Sequence, residues 1–278
     1  MRKFLFLFFL FLYFTGFPQS VKPLQLVAQM LDSVKAIQTV RFKVTAFERI
    51  EDKYVKVVSE DKLQIKPRKL YLINREKKLE ILYVEGQHDN KALVKPNTFP
   101  FITIPLSPTG ALMRKNQHYT IHDIGFESIG RVMALALSKE KDNINKGLRY
   151  IGKQEKNGYS CYLLVYESKN FSYTEYIVKQ KETISSIAAK LEVNDYILRA
   201  KNKFYNDYDY VKTGTKLQVP VYYCKKAVLY LDEKSFLPVS VSVFDDVGLL
   251  ENYDFTNIIL NKPFDPKEFT REYKEYHF

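Results

Sequence analysis

The chain has no tryptophan, two cysteines, four histidines and ten glycines in 278 residues. Two cysteines cannot build the disulfide framework of a small secreted scaffold. Neither has a His or Cys at the spacing of a zinc site. No Gly-x-Ser-x-Gly elbow and no phosphate-cradling loop occurs, which removes two common signatures of hydrolases and nucleotide-binding enzymes. Beyond the N-terminus no apolar run approaches the roughly 20 residues of a membrane-spanning helix. What is present is globular in balance: 46% hydrophobic and 27% charged, with 21 Tyr and 20 Phe supplying the aromatic content. Lys and Arg outnumber Asp and Glu by 43 to 32, a net charge of +11. An excess of that size invites a nucleic-acid reading.

The first twenty residues oppose it. Arg2 and Lys3 precede an unbroken apolar run from Phe4 to Phe14, ended by Gly16 and Pro18. A positive start, a short apolar run and a breaker make residues 1–20 a secretory signal peptide. No Cys follows the run, so a lipid-modified N-terminus is not expected. The expected location is the periplasm or outer envelope, where no nucleic acid is met and an anionic envelope surface accounts for the positive charge.

In the remainder, Pro23 marks a helix start, with Leu24, Val27, Leu31 and Val34 at helical spacing. The period then becomes two: Val40, Phe42, Val44 and Ala46 alternate with Arg41, Lys43 and Thr45, and the pattern returns around Leu63, Leu70, Leu79 and Ile81. Short strands between turn-rich breaks predict an antiparallel meander. Residues 96–117, with Pro96, Pro100, Pro105 and Pro108, read as a long loop, and 120–139 as a second helix that starts on a Thr120–Asp123 capping arrangement. Strands resume at 148–151, 161–166, 227–231, 239–243 and 253–259. The chain is therefore α+β, one antiparallel sheet with two helices over a face. If Cys161 and Cys224 lie on consecutive antiparallel strands, the register places them about 20 Å apart, so two separate thiols are expected.

Residues 174–221 do not fit the meander. They read strand, helix, helix, strand, and they split what would otherwise be one hairpin, as an inserted module would. Thr183 is placed to cap the first helix, whose Ile184, Ile187, Ala188 and Leu191 share a face. Val193, Ile197 and Leu198 repeat that arrangement in the second, and all the apolar positions are expected in the module's own core. The motif elements Tyr176-Ile177-Val178, Lys181-Glu182-Thr183-Ile184, Ile187-Ala188, Asn202, Gly214-Thr215-Lys216-Leu217 and Val219-Pro220 follow in the order of a LysM domain, which the segment resembles. Lys181 and Glu182 stand where Gly and Asp are usual. The resemblance implies binding of the N-acetylglucosamine backbone of peptidoglycan. It places Lys181, Glu182, Thr183 and Ile184 on one side of the sugar groove, and Tyr196, Ile197, Leu198 and Asn202 near the other. Phe204, Tyr205, Tyr208 and Tyr210 either stack on sugar rings or cover the module's core.

The host, residues 21–173 and 222–278, resembles the periplasmic lipoprotein carriers in the stretches LQLVAQMLDSVKAIQTVRFKV, KPRKLYLINREKKLEILYVEG and VLYLDEKSFLPVSVSVFDDVGLLENYDFTNIILNKPFDPKEF. The stretch IPLSPTGALMRKNQHYTIHDIG is similar to an uncharacterised exported bacterial family related to them. The resemblance implies a LolA-like incomplete antiparallel barrel covered by helices. Such a half-barrel would shelter an acyl chain, or a lipoprotein, or meet an envelope partner.

LysM modules accompany cell-wall hydrolases, so catalytic groups matter. His118 and His122 are four apart but straddle a helix start with no Glu between them, and capping or loop packing explains them more simply. Asp245-Asp246 precede Gly248 and read as a turn. No catalytic, metal or cofactor constellation is expected, and the reading is a non-enzymatic envelope protein. A hydrolase or modifying enzyme with an unrecognised site, and a structural wall protein without ligand, stay open as alternatives.

Overall fold

A computed structural model of the chain describes residues 22–140 and 144–278; the expected signal peptide falls outside the described residues. Helix α1 (Pro23–Lys35) opens on Pro23 and buries Leu26, Val27, Met30 and Val34. The strands that follow are β1 (Thr39–Ile50), β2 (Lys53–Gln64), β3 (Lys69–Asn74), β4 (Leu79–Val84), β5 (Ala92–Pro96) and β6 (Ile104–Leu106). Two short turns of helix, α2 (Ala111–Arg114) and α4 (Ile144–Gly147), flank the longer α3 (Phe126–Glu140). Then come β7 (Leu148–Lys156), β8 (Tyr159–Glu167), β9 (Tyr173–Ile177), α5 (Ile184–Leu191), α6 (Asp195–Asn202), β10 (Lys216–Pro220), β11 (Lys226–Asp232), β12 (Pro238–Phe244) and β13 (Leu249–Leu260).

Eleven strands form one sheet in the order β6-β5-β4-β3-β2-β1-β13-β12-β11-β8-β7, every pair antiparallel. β6 and β7 are both edges, so the barrel stays open. Period-two alternation sorts the side chains. Val40, Phe42, Val44, Ala46 and Glu48 of β1 face the helices with Val57, Ser59, Asp61 and Leu63 of β2. The opposite face of β3–β5 presents Tyr71, Ile73, Leu82, Val84 and Leu93, which the C-terminal tail covers with Phe264, Phe269, Tyr276 and Phe278. Tyr276 stacks on Tyr71 at 3.5 Å.

Three expectations need correction. The stretch 96–117 is no bare loop: Ile104–Leu106 pairs with β5 and Ala111–Arg114 is helical. The helix expected over 120–139 is two pieces. Thr120 and Asp123 do form a capping box, but on a 3-10 turn, Ile121–Asp123. Gly125, at φ +107°, then turns the chain into α3. Not all apolar positions of the insert serve its own core, as the seam below shows. The cysteine expectation is met. β11 lies beside β8 with Asp232 opposite Cys161, and no disulfide joins Cys161 to Cys224. Burial pushes the Cys161 thiol up to about 11.

Candidate functional site

The insert has its own two-stranded sheet, β9 against β10, and its own core of Val178, Ile184, Ile187, Ala188, Leu198, Leu217 and Val219. It leaves and rejoins the host at the tip of β8 and β11, where Ser168 N donates to Lys225 O at 2.8 Å and Val221 N donates to Ser172 O at 2.9 Å. Thr183 caps α5, exchanging hydrogen bonds with Ser186 in a capping box. Asn194 caps α6 by accepting from Ile197 N.

The strand-to-helix loop is braced from within. Lys181 holds a left-handed φ of +59° and is exposed. The Glu182 carboxylate accepts from Lys179 N at 2.8 Å and from the Tyr176 hydroxyl, and pairs with Lys190 at 2.9 Å. The backbone donor of Lys179, with Lys190 and Tyr176, holds this carboxyl down at about 2. The chain after α6 runs alongside: Thr183 bridges to Tyr210, and Val211 N donates to Glu182 O at 2.9 Å. Lys181, Glu182 and Thr183 thus share one edge with Tyr210, which is 70% exposed.

The other residues expected at the groove lie elsewhere. Ile184 and Leu198 are inside the module core. Asn202 ties α6 to β10, donating to Leu198 O and Gln218 O and accepting from Gln218 N. Tyr196 and Ile197 point into the host core. Tyr196 stacks on His118 at 3.8 Å and accepts from Glu51 N at 3.0 Å. Of the aromatic tract, Phe204 packs on the module core and Tyr205 on the host core. Tyr208 donates to Arg114 O at 2.7 Å. Arg114 in turn pairs with Asp195 at 2.5 Å and donates to Ser185 Oγ at 2.8 Å.

His118 is the centre of a buried polar group that the sequence did not foretell. Its Nε2 meets the Arg49 carbonyl at 3.1 Å, which can only accept, and its Nδ1 lies 2.6 Å from the Glu251 carboxylate. Nε2 therefore donates, and Nδ1 shares a short hydrogen bond with the Glu251 carboxyl that favours the protonated ring. Desolvation opposes the charge, but the hydrogen bond to Glu251 and the charges of Glu48 and Glu251 overcome it and raise the His118 pKa. Tyr119 donates to Glu251 at 2.7 Å, and Tyr253 donates to Glu48. Burial raises both phenols well above their usual range.

Beside this group lies a cavity of about 510 Å³ between the concave face of the sheet, α3 and the turn before it. Its walls are mostly apolar, with Phe42, Leu72, Ile81, Val94, Ile129 and Met133 among them. Leu112 and Ile104, both exposed, stand at its rim. Asp61 is the exception: it lines the cavity, is 3% exposed, and its carboxyl has no well-aligned hydrogen bond among the described residues, the Ser59 hydroxyl making a weak one at most. Burial raises its pKa to about 7; Ser59, beside it on the strand, offsets this in part. The inward position of Asp61 in β2 was readable from the alternation, whereas the empty space before it was not. No group of three or more potential metal ligands occurs among the described residues, and none of their helices is long and apolar enough to cross a membrane.

Residues 176–220 match the LysM domain, so the inserted βααβ unit is a member of that class of module. Residues 33–184, over half of the chain, match a family described as a protein of unknown function (DUF1571), and the chain belongs to that family. No curated protein matches the sequence. Among solved structures, the chain is similar to MucB of the Pseudomonas aeruginosa MucA/MucB complex, with 10% identity, TM-score 0.42, and 89% of this chain and 60% of that one covered. It is likewise similar to the lipoprotein LppX of Mycobacterium tuberculosis (13% identity, TM-score 0.39, 87% and 97% covered) and to LprF of Mycobacterium bovis (10%, 0.41, 87% and 94%). The chain spans about three fifths of the MucB chains it matches.

Proposed function

We propose that this is an exported, non-enzymatic envelope protein. Its LysM module binds the N-acetylglucosamine backbone of peptidoglycan, and its half-barrel takes a hydrophobic ligand. The observation that carries the first half is the LysM match over 176–220, together with the exposed edge that Lys181, Glu182 and Thr183 share with Tyr210. Braced backbone groups there recognise acetamido groups without needing the usual Gly and Asp side chains, and the Tyr210 ring offers a face for a sugar. Ile184, Leu198 and Asn202 act from behind by fixing the two loops, while Tyr196 and Ile197 fix the module to the host. The mostly apolar walls of the cavity support the second half.

The test is retention of the mature protein on insoluble purified peptidoglycan. Retention is expected, with competition by N-acetylglucosamine oligomers and about a tenfold weakening in Tyr210→Ala, from the loss of a stacked ring. A protein that stays in the supernatant contradicts the reading.

A further inference from the structure

The concave sheet presents its side chains in rows. One row runs Phe42, Asp61, Leu72, Ile81, Val94 across five neighbouring strands. Four are apolar and one is a carboxyl, and all five line the cavity. A buried carboxyl that no described group fully satisfies is the one polar member of this row. Substitution by Leu would continue the row, so packing gives no reason for an acid there. The other carboxyls on the cavity wall are engaged: Glu48 by Tyr253, Glu251 by His118 and Tyr119, and Asp123 by Thr120 and Arg131.

We propose that Asp61 is the polar anchor of the cavity, hydrogen-bonding the hydroxyl group of a neutral single-chain amphiphile whose hydrocarbon lies along Phe42, Leu72, Ile81 and Val94. The proposal rests on the hydrophobic-ligand reading above and names the chemistry of that ligand. A hydroxyl both donates and accepts, so it satisfies the carboxyl whether or not it is protonated. That matters for a group that burial raises to about 7. An ammonium head is a poorer fit, because the apolar row gives its remaining protons no acceptors and a buried ion pair must offset its own desolvation. A carboxylate head meets a like charge whenever Asp61 ionises. A chain with no donor at this point displaces water from Asp61 and returns nothing.

The mature full chain is loaded with the fluorophore 1-N-phenylnaphthylamine, and the dye is displaced with 1-monopalmitoylglycerol or with methyl palmitate. The palmitoyl chain is common to both, and the free hydroxyls belong to the first alone. The wild type is expected to prefer monopalmitoylglycerol by about tenfold, the effect of satisfying one buried polar group. Asp61→Leu should bind the dye and lose the preference, whereas Asp61→Asn, which still donates and accepts, should keep part of it. Dye uptake with the same preference in wild type and Asp61→Leu overturns the assignment of Asp61 and leaves the cavity reading standing. No dye uptake by the folded wild type overturns the hydrophobic-ligand reading and this proposal with it.

Discussion

His118 and Asp61 are both buried and both give up stability as the pH rises, but over different ranges. The His118 pKa is raised in the fold, so its contribution is complete below about 6.5, its unfolded value, and is lost as the pH climbs through the higher folded value. Asp61 is also raised, from 3.8 to about 7, which favours its neutral form. Its contribution is complete below about 4 and is lost between about 4 and about 7. Thermal melts at a series of pH values should therefore show Asp61→Leu gaining on the wild type as the pH rises from 4 to 7, by on the order of 4 kcal/mol at pH 8. His118→Phe should lose most at acid pH and converge towards the wild type only as the pH climbs past the raised folded pKa of His118. Parallel profiles for either variant would refute the corresponding assignment. The difference in legibility has a physical cause. Thr183 caps within three residues, and its role could be read directly. His118 depends on Glu251, 133 positions away, and only the folding of the chain around the sheet, with β13 beside β1, brings the two together.

At the scale of elements, periodicity found most strands and both long helices because each buries one face and exposes the other. It missed β6, whose three residues are too few to show a period, and it ran the helix of 120–139 through Gly125. That glycine is fixed by two demands at once, a φ of +107° and the approach of Leu63, whose Cδ2 would lie 2.5 Å from an added Cβ. Leu63 is fully buried in the core with Phe42, Leu70 and Phe126, so its methyl must shift to admit the new atom. Gly125→Ala should cost about 2–3 kcal/mol, combining left-handed backbone strain with overpacking. Urea titration followed by far-ultraviolet circular dichroism would measure this, and an unchanged midpoint would show that the turn tolerates a side chain.

At the scale of the whole molecule, the inserted module and its host are joined through their cores as well as by the chain. Tyr196 and Ile197 of α6 are buried with Leu164, Leu229 and Leu250 of the large sheet, and Arg114 of the host holds Asp195 and Ser185. The LysM motif was legible, yet the direction in which α6 faces was not. An amphipathic pattern marks an apolar residue as buried without saying in which core. Tyr196→Ala should remove about 3 kcal/mol by opening a cavity in the host, although the residue belongs to the module. Calorimetry of the wild type should give one cooperative transition. Two well-separated transitions would mean that the shared core contributes little.

The way the insert is spliced in also sets how the protein responds to cutting. The strands on either side of it, β8 and β11, are hydrogen-bonded neighbours within the large sheet. A protease that severs the module once, for example at the exposed stretch around Tyr210, frees no fragment, because each half remains a set of strands in the same sheet. Two cuts are needed to part the module from the host, and the Arg114 and Tyr196 contacts would still delay their separation. The two parts thus stay joined after a single cut that would release a domain attached by one linker.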